Sequence, residues 1–568
     1  MGLGSALSIG QSALLAYQSA LQVVGYNIAN AGTPGFARTS ARLAAVPGAT
    51  FSNGQVGSGV RVESIQRNVN ESLQARLRLA GSDQQSAIAE RTSLKTIEAF
   101  FDPLGEINLG SLLSEFFGAL GELQNTPDNP ATRGIVLNSA QTIVQRIREI
   151  REDLIGLRQD LNTQIEEVVV QADQIATRIA EINTQISVAE ASSGGTAAAL
   201  RDERDRLLTE LSQYFAITVR EQPSGAVNVY VGNAALVQFG LSFGVYTSTE
   251  QNSAGLNVAV VRFREDNGPV TATSGLVEGL INARDAQAGV QLDRLDTFAA
   301  ALIQEVNNVH AGGQGLQGFS SLTGLTSVID PAQPLSAVGN GVAFIPHSGS
   351  FFIDVKDAAT GSVVRTQINV DLDGIGTDST LASLAADINA NVAGVTAAVL
   401  ADGRLQLAAA GGSTFTFADD TSGVLAALGV NAFFGGTNAL SIEVNPAVVS
   451  NPLMIAAAKF SYSGDGSNAT SLARLENQAV ASLGGVSLTE YYTAAMANIA
   501  VSASSAQSAV DASGIIFDSL TAQRESLSGV NLDEEAVSLI SFQRAYEGAA
   551  QYMRVVDEML QVLLGLVR

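Results

Sequence analysis

Apolar residues return every seventh position over the last stretch of the chain: Leu532, Leu539, Tyr546, Met553, Leu560 and Val567. Phe542, Ala549, Val556 and Leu563 interleave with them. This a/d spacing predicts a helix that packs along a partner helix. The first stretch keeps the same rhythm through Leu3, Leu7, Gly10, Leu14, Tyr17, Leu21, Val24 and Ile28. The two ends are therefore expected to pair as a coiled-coil stem that carries everything between them as a long insertion. Heptads of this kind usually mean an intramolecular bundle. Here small residues flank the seams, among them Ala13, Ala16, Ala20, Ala545 and Ala549. A single helix pair cannot cover apolar surface on so many sides, so the ends are expected to bury further faces against other subunits.

Between the ends the period switches repeatedly. The first helix is expected to stop at Thr33-Pro34-Gly35, and short alternating segments follow at 36–45 and 60–65. Helical spacing returns at Asn70 and runs to Pro103. A shorter helix spans 112–123, and Asn125 to Pro130 is a firm break. Ile147, Leu154, Leu161, Val168, Ile175 and Ile182 then predict a long helix over roughly 135–190. Ala198–Tyr214 reads as helix. Alternation at Ile217, Val219, Val227, Val229 and Val231 and over 258–263 predicts a small β-rich segment. Helix is expected again over 275–310. Strand-like runs fill 340–450, including one at 440–444, with one helix at 379–390. From Pro452 to the end the chain reads as helical, broken near Gly484-Gly485 and at Gly529. The fold class is multidomain α+β: a terminal coiled-coil stem, a long-helix bundle domain and inserted outer β-rich domains. The expected domains are 1–69 with 511–568, 70–214 with 275–311 and 452–510, 215–274, and 312–451.

Charge and composition narrow the function. Lys plus Arg number 31 against 55 Asp plus Glu, a net charge of −24 over 568 residues. Such a chain repels nucleic acid and anionic membranes, so neither is expected as a partner. With no Cys, disulfides and thiolate metal sites are excluded. The first residues lack a basic segment and a cleavage site, so no Sec-type signal is expected.

Candidate chemistry is sparse. The two histidines, His310 and His347, lie in no catalytic or metal motif. Gly313–Gly318 matches GxGxxG literally, but a helix precedes it where a strand is needed. Asp371–Asp378 suggests a calcium loop, yet Ala382 stands where the twelfth-position Glu belongs. No catalytic residue, cofactor or metal is expected.

The sequence Asn27-Ile28-Ala29-Asn30 followed by Thr33-Pro34-Gly35-Phe36 resembles the N-terminal signature of the flagellar axial proteins, the rod, hook and hook-associated subunits. Ser528–Glu535, running into Phe542-Gln543-Arg544-Ala545-Tyr546, resembles their C-terminal signature. Leu200–Asp205, Asn307–Gly313 and Leu428–Phe434 are similar to the hook–filament junction members of that family. Gly32 and Phe36 depart from the family's usual Asn and Tyr. The resemblance implies a structural role without catalysis and export through the flagellar channel with no cleaved signal. It implies termini that order on assembly into a ring, and a location outside the cell at the hook–filament junction. The implied partners are further copies of the chain, hook protein, a second hook-associated junction protein and a flagellar export chaperone. Leu7, Leu14, Leu21, Ile28, Leu532, Leu539, Tyr546, Met553, Leu560 and Val567 are the candidate assembly seams, and Asn27, Asn30, Thr33, Pro34, Gly35 and Phe36 the signature residues. A hook or distal rod subunit, or an exported enzyme or adhesin carried on axial-type termini, are the alternatives.

Overall fold

In the computed structural model the first helix runs Leu3–Asn30 and the last Leu532–Leu566. The structure describes residues 3–566 except 34, 49, 52–53, 56, 102–104, 106–107, 194, 253–254 and 461–463. The seam position Val567, the signature residue Pro34 and the helix stop at Pro103 thus lie outside the described residues. The chain divides into two compact units. One comprises Met1–Thr92, Asp160–Arg284 and Ser505–Arg568; the other comprises Ser93–Gln159 and Asp285–Ser504. The architecture is mixed helix and sheet.

In the first unit the N- and C-terminal helices lie against each other. Asn27 meets Glu535, and Gly10 meets Met553, so the two run antiparallel. An antiparallel hairpin, Thr39–Ala45 with Val60–Arg67, packs on the N-terminal helix and carries a bulge between Arg42 and Leu43. The long helix spans Pro130–Ser193, 64 residues, about 96 Å if straight. Proline at its first position costs no hydrogen bond, because that N–H is unsatisfied in any helix. Its residues from 160 onward are fastened to two small antiparallel β elements by three polar side chains. Asn162 pairs with the backbone of Asn257 and Ala259, and Asp173 accepts the Val245 N–H. Asn183 donates to the Val227 and Phe239 carbonyls and accepts the Val227 N–H. These residues are ten or eleven apart, about three helical turns, so they share one stripe. Beneath them Ile165, Val169, Ala172, Ala176 and Ile179 are fully buried. The β elements are a four-stranded meander, Ile217–Glu221, Val227–Val231, Ala234–Gln238 and Leu241–Ser242, and the pair Val245–Gln251 with Asn257–Phe263.

The second unit places Leu109–Asn125, the start of the long helix, and Val290–Ala311 with an inserted α/β segment. That segment has two three-stranded antiparallel sheets. In one, Gly349–Lys356 is central between Val363–Val370 and Thr414–Ala418; in the other, Leu405–Ala409 is central between Ser321–Thr323 and Val395–Val399. Phe351, Ile353, Phe415 and Phe417 on one sheet face pack in a core with Leu381, Leu384 and Ile388 of helix Leu381–Asn391.

Three expectations need correction. The helix at 275–310 is interrupted by a π-helical segment, Ala283–Gly289, which lets buried Arg284 reach Asn162 and the Ala259 carbonyl. Only Glu443–Val444 of the 440–444 run is strand. The chain after Pro452 is not continuously helical: short helices at Ser467–Arg474 and elsewhere alternate with turns until Leu488–Ser528. Gly466 and Gly484-Gly485 supply backbone conformations or close approaches that a helix cannot continue through.

Candidate functional site

The N-terminal signature forms the turn that reverses the chain from helix to hairpin. Thr33 N–H donates to the Asn30 carbonyl and Phe36 N–H to the Thr33 carbonyl. Gly35 has φ of +82°, a conformation side chains resist. The Phe36 ring sits edge-on to Tyr26 at 5.3 Å between centroids. Asn30 is a local cap, its amide donating to the Tyr26 carbonyl. Asn27 is buried and saturated. Its oxygen accepts the Thr39 N–H, and its amide donates to the Thr39 carbonyl and to Glu535 Oε2 at 3.0 Å.

Glu535 is itself buried, and Arg38 Nε donates to its other oxygen at 2.7 Å while Arg38 Nη1 reaches Glu534 at 2.9 Å. The Arg38 N–H also donates to the Ser528 carbonyl. The two signatures therefore clasp each other, and together they line a cleft of about 780 Å³ that includes Thr33, Phe36, Arg38, Arg524 and Ser528. Sequence reasoning missed Arg38 and Glu535 as a pair. The available signal was Asn531, which caps the last helix through its oxygen and so sets Glu535 in the first turn.

The seam residues divide. On the N-terminal helix the buried positions are Gly10, Ala16, Ala20, Val24 and Asn27, a stripe of small residues. Leu14 and Leu21 are half-buried, whereas Leu7 and Ile28 are exposed. On the last helix Val556 is buried and Leu539, Met553 and Leu560 are half-buried, while Leu532 and Tyr546 are exposed. Also exposed on that helix are Val537 at 69%, Ile540 at 52%, Val562 at 65% and Leu564 at 69%. Burying one such side chain is worth about 1.5–3 kcal/mol, so a row of them is a large unused driving force.

The interior motifs have structural roles. In the first unit Arg67 bridges Asp202 and Asp205, and buried Arg204 donates to Asp205 and to the Gly225 carbonyl. Burial raises the Asp202 carboxyl above its ordinary range despite Arg67. In the second unit Asn307 holds the backbone of Phe433 and Phe434. His310 is fully buried: Nδ1 donates to the Asn431 carbonyl at 2.8 Å and Nε2 accepts the Ala456 N–H at 2.9 Å. Burial first, then the Arg133 guanidinium, hold its pKa at about 4 against the pull of the Asn431 carbonyl. The glycines of Gly313–Gly318 admit close backbone: a Cβ on Gly315 would lie 2.7 Å from the Leu453 carbonyl oxygen. His347 contributes its N–H to the Ser422 carbonyl. Asp371, Asp373 and Asp378 converge at the surface, where Asp373 and Asp378 accept the Ile375 and Gly374 N–H groups of their own turn.

Comparison with known proteins agrees with this anatomy. The flagellar hook-associated protein FlgK helical domain matches residues 94–324. The flagella basal body rod protein family matches 7–36, and the flagellar basal body rod FlgEFG protein C-terminal family matches 522–566. The clasped ends and these matches make the chain a flagellar axial protein, structural rather than enzymatic. Flagellar hook-associated protein 1 of Escherichia coli K12 is 24% identical over 99% of this chain and 100% of its own length. Its Bacillus subtilis 168 counterpart is 24% identical over 98% of this chain and 97% of its own. Within the axial class, the chain is thus similar along nearly its whole length to flagellar hook-associated protein 1 of these two organisms. The fold is similar to the flagellar hook junction protein FlgK from Burkholderia pseudomallei, with TM-score 0.50 and 15% identity over 80% of this chain and all of that one.

Proposed function

We propose that this chain forms the structural ring joining hook to filament in the bacterial flagellum, on which filament assembly depends. The carrying observation is the terminal helix pair: its two members clasp through small residues and the Asn27–Glu535 contact, and leave Leu7, Ile28, Leu532, Tyr546 and their large apolar neighbours in solvent. In the ring these rows pack against terminal helices of neighbouring copies, and the pair serves as a coiled-coil stem. Hook protein contacts one side of the ring and the second hook-associated junction protein the other, outside the cell. The chain travels there through the flagellar export route without a cleaved signal, escorted by an export chaperone that shields the apolar rows. The β-rich segments, 215–274 and 312–451, face outward as inserted domains.

The test is a strain lacking the gene. Electron microscopy of its hooks is paired with an assay for filament subunit in the medium. Complete hooks without filaments, and free subunit outside, support the junction role. Absent or overlong hooks would move the chain to rod or hook, and normal filaments would end the proposal.

A further inference from the structure

We propose that Arg133 and Lys356 hold a small oxyanion, a carboxylate or a phosphate, in a cleft of the second unit that the assembly role does not use. The cleft has a volume of about 650 Å³. One wall is the polar face of a three-stranded sheet, where Asp354 stands opposite Thr416 and Lys356 opposite Thr414. The facing wall is the Gln314–Gly318 backbone with Pro127 and Phe460.

Arg133 lines this cleft from the first turn of the long helix and is 1% exposed. Its Nε donates to the Pro127 carbonyl, and its Nη1 faces the carbonyls of Pro452, Leu453 and Ile455, the last at 2.6 Å. Carbonyl dipoles solvate the guanidinium but bring no net negative charge. Its Nη2 has no hydrogen-bond partner among the described residues. Burial is the larger influence on Arg133 and pulls its pKa down to about 10, with only the field of Asp128, an exposed residue, opposing it. A buried cation in this condition is costly until an anion reaches it.

Three acids line the cleft, Asp128, Asp354 and Asp465, and the last two are otherwise engaged. Asp354 is 3% exposed and receives both Arg365 Nε and Nη2 at 2.7 Å, with Gln314 Nε2 at 2.8 Å. Asp465 accepts the backbone N–H groups of Lys459, Phe460 and Ser467. Lys356 is exposed at the cleft and makes no ion pair among the described residues. An oxyanion there satisfies Arg133 Nη2 and the Lys356 ammonium together. The space exceeds a single ion, and Gln317, Thr414 and Thr416 offer amide and hydroxyl partners for the remainder of a hydroxylated acid.

The test is isothermal titration of the full chain at low ionic strength, with inorganic phosphate and, separately, with glucuronate. Saturable binding of at least one probe is expected, weakened roughly tenfold by Lys356→Ala and abolished by Arg133→Met. Tighter binding of glucuronate identifies the ligand as a sugar acid, and binding of phosphate alone identifies it as an inorganic oxyanion. Arg133→Met strips several carbonyls of their donor and can fail to fold, so Lys356→Ala, on an exposed side chain, decides the matter. No binding of either probe to the wild-type chain, or binding unchanged by Lys356→Ala, overturns the proposal.

Discussion

Glu535 is the residue on which the terminal clasp turns. It is buried and touches Asn27 from the N-terminal helix and Arg38 from the following turn. Glu535→Ala is expected to cost about 3 kcal/mol of local stability, because it strands a buried amide and a guanidinium that had been paired. Hydrogen exchange would register this as faster exchange of the Thr39 amide, with the second unit unchanged; equal loss in both units would refute a local role. His310 makes a pH prediction. The Asn431 carbonyl can only accept and the Ala456 N–H can only donate, so the imidazole is held neutral with its proton on Nδ1. A proton on Nε2 would face an N–H. The folded pKa, about 4, lies below the ordinary unfolded value. The unfolded chain therefore binds the proton first, and stability falls as pH drops through the window from about 6.5 to about 4, by about 3 kcal/mol in all. Urea unfolding at pH 7 and pH 4.5 measures the drop, and in His310→Asn that share of it should vanish.

At the scale of elements, periodicity made most helices legible, and the reason is physical: a helix burying one face must repeat its apolar residues near 3.6. Ala198–Tyr214 was readable to the residue, and the long helix to within a few residues. That the two terminal helices would meet was readable, but the residues that form the contact were not. The stripe that the N-terminal helix buries includes Gly10, Ala16 and Ala20, residues that the pattern placed in or beside the seam but did not mark as its buried contact, although small residues are what let two helix backbones approach closely. Polar fasteners such as Asn162, Asp173 and Asn183 were equally silent, since an isolated Asn on a helix carries no mark of the strand it will meet. The signature at Asn27 was legible as a motif, but its partner Glu535 lies 508 residues away and no local pattern joins them. The close packing at Gly10 gives a test: a Cβ there would lie 2.4 Å from Met553 Sδ. Gly10→Leu should wedge the pair apart and lower the unfolding midpoint of the first unit, and Met553→Ala should restore part of the loss in a double-mutant cycle. No restoration would mean that the two residues do not face each other.

For the whole molecule, the exposed and clasped faces of the last helix are separable by mutation. Val537→Asp and Ile540→Asp alter exposed side chains and should leave the isolated chain's stability within about 0.5 kcal/mol. Both should prevent incorporation into flagella, scored by filament formation in a complemented deletion strain. Leu539→Asp touches the half-buried side, so stability and incorporation should both suffer. Normal filaments with Val537→Asp and Ile540→Asp would remove the exposed rows from the interface. The clasp also bears on synthesis. The Leu3–Asn30 helix finds a partner in the Leu532–Leu566 helix, across a separation of about 500 residues whose closure entropy grows only logarithmically. A chain that terminates early, however well its middle folds, presents a first helix with its small-residue stripe bare and Asn27 unanswered. Closure of the first unit thus requires both the Leu3–Asn30 and the Leu532–Leu566 helix, and loss of either leaves the contact face of the other bare.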